Sequence, residues 1–373
     1  MKKSIARSFM KYLTTNLSHK AAFSALALAL CSCSTTLATG SAASNAGPAR
    51  SPQTTLTTIL PSTTTTTSLP NCPTSGLTQC SAQILPPPSP IAPFNPTVGS
   101  TQGIWKPSGR LVNGHAAVFE TTLSPPGGTA PAGIAWMDTG LLSARLYSGS
   151  VSPGKGPYKY TAPIQPKQAA SLVAAFNGGF MMSVAQGGYY TEGTMVFPLR
   201  AGAASLVIYS NGSINIGPWG SGPGFTLSPN VVSVRQNLSP LVINGAPTPL
   251  ASTPNWQVWG ATCSETSCVG PGIEHQWRSG IGMTADGAAV YVAGPSLDPL
   301  QLAQLLVRAG AVSAMQLDIN PDWPDFATYN PPTPSGLASA QNGTKLLPNT
   351  VQGPWTFFEP TWARDFFTMS ARQ

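Results

Sequence analysis

AAFNGGF, residues 174–180, runs from small apolar residues into an asparagine, two glycines and an aromatic ring. This pattern predicts a buried strand that ends in a tight turn. The paired glycines allow a positive φ, or the close approach of a ligand to the backbone. Asn177 would then present an amide at the strand end, where it can both donate and accept hydrogen bonds. Taken alone, the segment also fits an ordinary transition from strand to turn.

Two later segments extend this pattern toward the carboxyl end of the chain. RSGIG, residues 278–282, opens a predicted hairpin, and GAVSAMQLD, residues 310–318, follows a predicted helix as a strand. The helix is expected to begin at Asp298 as its N-cap, with Pro299 in the first turn. Gly310 is expected to end the helix.

Turn dipeptides divide much of the remaining sequence into strands. LVIY, residues 206–209, precedes the Asn-Gly pair at 211–212. The strand VYV, residues 290–292, follows the Asp-Gly pair at 286–287. Both arrangements predict β-hairpins. A short helix is expected over about residues 166–173. The sequence therefore predicts an α+β fold, a single β-rich domain over residues 101–373 with a few helices packed on a mixed sheet.

The amino-terminal segment has the composition of an export signal. The first twenty residues contain five basic and no acidic residues, and residues 21–30 are apolar except for Ser24. We predict a signal peptide over residues 1–33. Its apolar run is too short to span a bilayer. LCSC, residues 30–33, resembles a bacterial lipobox, so membrane attachment through a lipidated Cys33 is an open alternative to release of the chain.

The charge balance gives no support to nucleic-acid binding. The chain has 19 basic and 12 acidic residues, and removal of the signal peptide leaves 14 basic residues against the 12 acidic ones. The mature part contains no basic run and no basic residues interleaved with aromatic ones. We therefore expect no nucleic-acid partner, and an extracellular or cell-envelope location.

Residues 34–100 are rich in Ser, Thr and Pro and predict a linker without a packed core. In an oxidising compartment the cysteines are expected to pair locally, as Cys72 with Cys80 and Cys263 with Cys268. A metal site is the weaker interpretation, because neither pair has the CxxC spacing and no histidine cluster lies nearby.

Two carboxylates are the main candidates for catalysis. Asp318 ends a strand that follows a crossover-like helix, a position where ligands bind; the alternative is that it caps the next loop. Glu192 lies in GGYYTEG, residues 187–193, between glycines that indicate an exposed loop. Cleavage of a glycosyl bond uses one group to protonate the leaving oxygen and another as base or nucleophile. A serine hydrolase is not favoured, because no Gly-x-Ser-x-Gly motif is present.

Other side chains could bind a substrate. The guanidinium of Arg278 matches phosphate oxygens in geometry, although it could instead form a buried salt bridge to Asp318 or Glu274. Several tryptophans fall in predicted loops, Trp323 among them. Sugars stack on exposed aromatic faces, but burial in the core is the more common fate of any single tryptophan.

The order of these segments resembles the phosphodiester glycosidase family. That family has an NGGF-like turn, an Arg-x-x-Ile-Gly hairpin, a helix ending in Gly-Ala and a strand ending in Leu-Asp, and the resemblance covers roughly residues 100–373. It implies a hydrolase that cleaves a sugar-1-phosphodiester, or a related glycan linkage, without an organic cofactor. It further implies the following roles: Asn177, Gly178 and Gly179 line the sugar site with Trp323, Arg278 holds phosphate, and Asp318 acts at or near the anomeric centre with Glu192 as the second carboxylate.

The segment after Asp318 departs from the family pattern. The family has Leu-Asp-Gly-Gly-Gly-Ser where this chain reads LDINPDW, residues 317–323. The aspartate is present and the glycines are not. This loss motivates an alternative, a non-catalytic glycan-binding or cell-wall structural protein on the same fold. Alternating Asp318, Asn320 and Asp322 could supply oxygen ligands to Ca²⁺, but Pro321 stiffens the loop and no further ligand follows, so no metal site is predicted.

Overall fold

The computed structural model of the chain describes residues 83–97, 99–128, 130–154, 156–253, 256–260, 275–319 and 321–372. These residues all belong to one compact unit, residues 66–373, and a second unit, residues 1–65, lies wholly outside the described part. The predicted signal peptide, the lipidation of Cys33 and the disulfides Cys72–Cys80 and Cys263–Cys268 also lie outside it. No helix of the described part is long and apolar enough to cross a membrane.

Strands make up most of the regular structure. In chain order they are β1 (Lys106–Val112), β2 (His115–Leu123), β3 (Ala132–Met137), β4 (Leu142–Tyr147), β5 (Leu172–Asn177), β6 (Tyr189–Thr191), β7 (Thr194–Phe197), β8 (Ala204–Tyr209), β9 (Ile214–Pro218), β10 (Val231–Gln236), β11 (Pro240–Ile243), β12 (Ala246–Pro247), β13 (Gln276–Thr284), β14 (Ala289–Leu297), β15 (Ala311–Ile319), β16 (Phe326–Tyr329), β17 (Gly343–Lys345) and β18 (Phe366–Ala371). The α-helices are α1 (Pro166–Ala169), α2 (Trp256–Trp259) and α3 (Pro299–Arg308).

The strands form three sheets. An eight-stranded sheet has the order β1-β2-β3-β14-β13-β15-β11-β12, and two five-stranded sheets have the orders β7-β6-β10-β8-β9 and β17-β16-β5-β18-β4. Neighbouring strands are antiparallel throughout, including β5 with β16 and β18, and β13 with β14 and β15.

The predicted α+β fold with a mixed sheet is wrong, because the described part of the chain is mostly antiparallel β-sheet. Of the α-helices, only α3 is longer than four residues. The helix expected over residues 166–173 stops at Ala169, because Leu172 and Val173 belong to β5, where both side chains are buried. Burial between two neighbouring strands outweighs the weak helical preference of so short a segment.

Helix α3 begins and ends where the sequence predicts. Asp298 accepts a hydrogen bond from the backbone N–H of Gln301, whose side chain bonds back to the N-cap, and Gly310 follows the helix with a φ of 98°. The helix connects β14 to β15 across the intervening β13. Leu302 and Leu306 pack over Gly280 of β13, where an added Cβ would come within 3.1–3.3 Å of their side chains. The hairpins β8–β9 and β13–β14 are likewise confirmed.

The core between two sheets places the ends of β5 and β15 close together. Every residue of β5 is buried. The Phe176 ring lies 5.4 Å from that of Tyr291 in the large sheet, and 6.2 and 5.3 Å from those of Phe326 and Phe367 in its own sheet. Aromatic packing of this kind fixes the two sheets face to face. Asn177, the last residue of β5, therefore meets the end of the opposite sheet.

Candidate active site

A small cavity lies at the ends of β5 and β15 and the starts of β16 and β18. It is lined by Asn177, Gly178, Gly179, Asp318, Trp323, Asp325, Thr356, Phe357, Trp362, Arg364 and Asp365. The structure thus brings together five of the residues that the sequence analysis selected, which are the NGG turn, Asp318 and Trp323. Arg278 and Glu192 are not among the residues that line it.

Asp318 occupies the end of β15 with its carboxylate held on two sides. Its Oδ1 accepts a hydrogen bond from the Ile319 backbone N–H at 2.8 Å, and its Oδ2 forms an ion pair with the Arg364 guanidinium. Burial raises the pKa of Asp318 to about 6, and the charge of Arg364 limits that rise. Desolvation therefore outweighs the ion pair, yet the carboxylate remains ionised at neutral pH.

Asp325 is a second carboxyl group in the cavity, and the sequence analysis did not select it. It immediately precedes β16 and is 1% exposed. Neither of its carboxyl oxygens has a hydrogen bond of acceptable geometry. Burial raises the pKa of Asp325 to about 7, with the nearby Thr356 hydroxyl acting in the opposite direction. Asp325 therefore keeps its proton up to nearly neutral pH.

The side-chain oxygen of Asn177 anchors the loop that carries Asp325. This Oδ1 accepts hydrogen bonds from the Tyr291 hydroxyl at 2.7 Å and from the Asp325 backbone N–H at 3.1 Å. The Tyr291 hydroxyl also lies 3.3 Å from the Asp325 backbone oxygen. Asn177 thereby fixes the backbone of Asp325 and makes no bond to its carboxyl group.

The side-chain nitrogen of Asn177 is connected through Ser279 to the backbone of Asp318. This Nδ2 donates to the Gly178 carbonyl at 2.8 Å and to the Ser279 hydroxyl at 3.0 Å. The Ser279 hydroxyl in turn lies 3.2 Å from both the backbone N and the backbone O of Asp318. Asn177 lines the cavity as expected, but its amide bonds are made to the protein. Its amide therefore links the backbone of Asp325, directly, to the backbone of Asp318, through Ser279.

Gly178 and Gly179 are required by close packing. Neither has a positive φ, so the backbone freedom considered for them in the sequence analysis is not what the turn uses. A Cβ on Gly178 would clash with the Asp365 carboxylate, and one on Gly179 would lie 2.7 Å from the Asn237 side-chain oxygen. The glycines therefore let the turn sit against buried polar side chains.

A buried ion pair supports the turn from behind. The Arg235 Nε donates to the Asp365 Oδ2 at 2.8 Å and Nη2 to Oδ1 at 3.1 Å, and both side chains are completely buried. Arg235 also donates to the Phe180 carbonyl, and the Gly178 N–H donates to the Asp365 carbonyl at 2.9 Å. Because both Asp365 oxygens accept from one guanidinium fork, this carboxylate is committed to structure.

Two tryptophans and Arg364 form the outer wall of the cavity. The half-buried Trp323 and Trp362 have ring centroids 5.9 Å apart, inclined at 60°. The Arg364 guanidinium stacks 4.5 Å from the Trp323 ring centroid and donates to the Gly179 carbonyl at 3.1 Å. Its Nε is buried without a hydrogen-bond partner. The wall therefore combines aromatic faces with a cation that has an unused donor.

Arg278 and Glu192 lie elsewhere for identifiable reasons. Arg278 is 2% exposed; its Nε donates to the Leu297 carbonyl at 2.8 Å and its Nη1 to Gln316 Oε1 at 2.9 Å. Successive side chains of a strand point to opposite faces, so Ser279 faces Asn177, to which it is hydrogen-bonded, and Arg278 points the other way. Glu192 is exposed in the β6–β7 turn, where its carboxylate accepts the backbone N–H groups of residues 159 and 160 at 2.9 Å.

The cavity residues that the sequence analysis missed share one signal. Asp325 directly precedes Phe326 of β16, and the pair Arg364-Asp365 directly precedes Phe366 of β18. Only 8% of the residues in this chain are charged. A charged residue placed immediately before a buried strand that begins with phenylalanine is therefore unusual here and marks the site. Among the described residues, no group of three or more His, Cys, Asp or Glu side chains is arranged to hold a metal ion.

The fold and cavity define a mostly β protein whose cavity is lined by three aspartates and two tryptophans. No family model matches the chain, and no curated protein is similar in sequence. Among solved structures, the chain is similar to the zebrafish N-acetylglucosamine-1-phosphodiester alpha-N-acetylglucosaminidase catalytic domain auto-inhibited by its pro-peptide. The TM-score is 0.42 and the sequence identity is 14%, and the match covers 68% of this chain and 82% of the zebrafish chain.

Two further structures are similar at the same level. A hypothetical protein from Synechocystis gives a TM-score of 0.37 with 13% identity and coverage of 72% of this chain and 64% of that one. A protein from Burkholderia pseudomallei whose name describes it as exported gives a TM-score of 0.33 with 13% identity and coverage of 65% and 75%.

Proposed function

We propose that this chain is an exported glycosidase that hydrolyses the glycosyl bond of a sugar-1-phosphodiester or of a related envelope glycan. The observation that carries the proposal is the ionised Asp318 carboxylate, buried at the end of β15 in a cavity walled by Trp323 and Trp362. A carboxylate held in this way can attack the anomeric carbon or stabilise the positive charge that develops there. Tryptophan faces suit the apolar face of a sugar ring.

Arg364 is the residue that we assign to the phosphate, in place of Arg278. Arg364 lines the cavity beside Asp318 and has an unpartnered Nε, whereas the Arg278 side chain donates to backbone and side-chain oxygens away from it. A guanidinium can hold two phosphate oxygens at once. In this proposal Arg364 holds the phosphate next to the carbon on which Asp318 acts.

The alternative function is glycan binding without catalysis. Two observations favour it. Asp318 is already paired with the cation of Arg364. Its Oδ1 also accepts a hydrogen bond from the backbone N–H of Ile319, the residue that stands where the family has its first glycine. A carboxylate so fully engaged could orient a sugar hydroxyl without any chemistry. The paired tryptophans serve either function equally well.

Turnover on sugar-1-phosphodiesters distinguishes the two. The mature chain is incubated with a panel of such diesters, and free sugar and binding are both measured. Asp318→Asn keeps the shape and removes the charge, so we expect turnover to be abolished. Arg364→Ala should lower kcat/KM by about 10²–10³-fold, as for loss of one preorganised donor. Arg364→Lys should recover little, because an ammonium lacks the fork.

Other outcomes would assign the protein differently. Asp286→Asn serves as control, because Asp286 lies exposed in the β13–β14 turn and Asn-Gly forms the same type of turn. Binding of glycan that survives Asp318→Asn, with no turnover by the unmodified chain, would identify a binding protein. Full activity in Asp318→Asn would show that the protein is an enzyme whose catalytic site lies elsewhere. Export, attachment through Cys33 and both disulfides remain predictions from the sequence, and peptide mapping without reduction would test the disulfides.

A further inference from the structure

We propose that Asp325 is the proton donor to the departing glycosidic oxygen, and that the cavity therefore also cleaves O-glycosides whose leaving group is an ordinary alcohol. This inference rests on the proposed glycosidase function and extends its substrate class. A phosphate leaves as a weak base and needs no proton, whereas an alkoxide leaves only when protonated. A dedicated acid is useful for the second class of substrate.

The placement of Asp325 is the first argument. Its side chain lines the cavity while its two carboxyl oxygens lack hydrogen-bond partners. Buried polar groups are nearly always paired, so an orphaned carboxyl group in a cavity calls for an explanation. Asn177 and Tyr291 hold the Asp325 backbone. The Thr356 hydroxyl and the Phe326 backbone lie near the carboxyl group, and neither forms a hydrogen bond of acceptable geometry with it. A residue that lines the cavity thus carries a buried carboxyl group without a full set of hydrogen bonds.

The contrast between the two carboxyl groups is the second argument. Asp318 forms an ion pair with Arg364, which favours its charged form, whereas Asp325 has no ion pair within the described part of the chain, and burial raises the pKa of both groups. One carboxyl group beside a cation and one without a cation suit the anionic partner and the acid of glycoside cleavage. Near neutral pH the pair can hold one proton on Asp325 and one charge on Asp318.

The step balances within these groups and one water. The Asp325 proton passes to the glycosidic oxygen as the C1–O bond breaks, and that oxygen leaves with the bonding electrons as an alcohol. The Asp318 carboxylate stabilises or captures C1. One water then supplies its hydroxyl group to C1, and its remaining proton returns to the carboxyl pair. The cycle consumes one water and regenerates both side chains.

The groups facing Asp325 set the expected pH dependence. Lys345 on β17 acts on it, and Tyr291 on β14 and Tyr329 on β16 respond to its charge. The other charged residues that line the same cavity are Asp318, Arg364 and Asp365. Lys345 favours the charged form, but its Nζ donates to the Thr350 carbonyl at 2.7 Å. The acid form should be lost as pH rises through about 7.

A leaving-group series tests the inference. The substrates are glycosides of one sugar with phenols and alcohols of rising pKa, together with its 1-phosphodiester, and kcat/KM is measured for each. Asp325→Asn should lower kcat/KM on alkyl glycosides by about 10²–10⁴-fold and steepen its dependence on leaving-group pKa. Hydrolysis of the phosphodiester should change by only a few-fold. Asp286→Asn, the exposed control, should alter neither.

Each result decides the question. Comparing substrates within one variant removes any loss of folded protein, which lowers all rates equally; a uniform loss would overturn the role of Asp325. The unmodified chain gives an independent measurement, since kcat/KM for alkyl glycosides should fall above about pH 7 and that for the phosphodiester should not. Phosphodiester activity without glycoside activity would overturn this inference and leave the proposed function intact. Glycoside activity sensitive to Asp325→Asn, without phosphodiester activity, would support this inference and remove the phosphodiester from the proposed function.

Discussion

Asp325→Asn should make the stability of this protein less dependent on pH. The pKa of Asp325 rises from 3.8 to about 7 in the folded chain, chiefly because the carboxyl group is buried. Between those two pH values the unfolded chain releases this proton and the folded chain retains it. The folded state therefore loses stability as pH rises from about 4 to about 7, with no further change above that range.

The size of the effect follows from the pKa difference. At about 1.4 kcal/mol per pKa unit, the change from 3.8 to about 7 corresponds to roughly 4 kcal/mol of unfolding free energy. This is a large fraction of the 5–15 kcal/mol, as an order of magnitude, that stabilises a typical domain. Asp318 contributes in the same direction, because its pKa is also raised, to about 6.

Urea unfolding at pH 4 and pH 8 measures the effect. The free energy of unfolding of the unmodified chain should be lower at pH 8, and in Asp325→Asn this difference should shrink by about 4 kcal/mol. Any cost of burying the amide is the same at both pH values and cancels from the comparison. Asp286→Asn removes one carboxylate at an exposed turn and should leave the difference unchanged.

A pH dependence of Asp325→Asn that matches the unmodified chain within about 1 kcal/mol would refute the reasoning. It would mean that Asp325 is ionised in the folded protein and has a partner or solvent contact that compensates its burial. The proposed proton donor would then lose its physical basis together with the stability prediction.

Three further predictions concern the supports of the site, and thermal or urea unfolding measures each of them. Gly178→Ala should destabilise the chain by about 1–3 kcal/mol, because the new Cβ clashes with Asp365, whereas Gly222→Ala, with open space around it, should have little effect; equal losses would contradict the packing argument. Phe176→Ala should cost about 3–5 kcal/mol by opening the aromatic core, and a loss below about 1 kcal/mol would show that the core collapses around it. Asp298→Ala should cost about 0.5–2 kcal/mol by removing the capping box of α3, and an unchanged midpoint would mean that the helix does not depend on its cap.

The sequence determined the features of this protein that depend on neighbouring residues. The cap and end of α3, the hairpins at Asn-Gly and Asp-Gly, the buried strand before Asn177 and the position of Asp318 at a strand end could all be predicted, because turn chemistry and hydrophobic runs act over a few residues. The fold class could not, since a short apolar run fits a helix or a strand until its partners are known.

Only the tertiary structure decided which side chains meet. The ion pair of Asp318 with Arg364 spans 46 residues, and the hydrogen bond of Asn177 to the Asp325 N–H spans 148. No local pattern encodes such distances, because they arise from the order of strands in two sheets. The same holds for Arg278. One step along a strand reverses the face on which a side chain lies, so the pleat turns Ser279 toward Asn177 and Arg278 away from it.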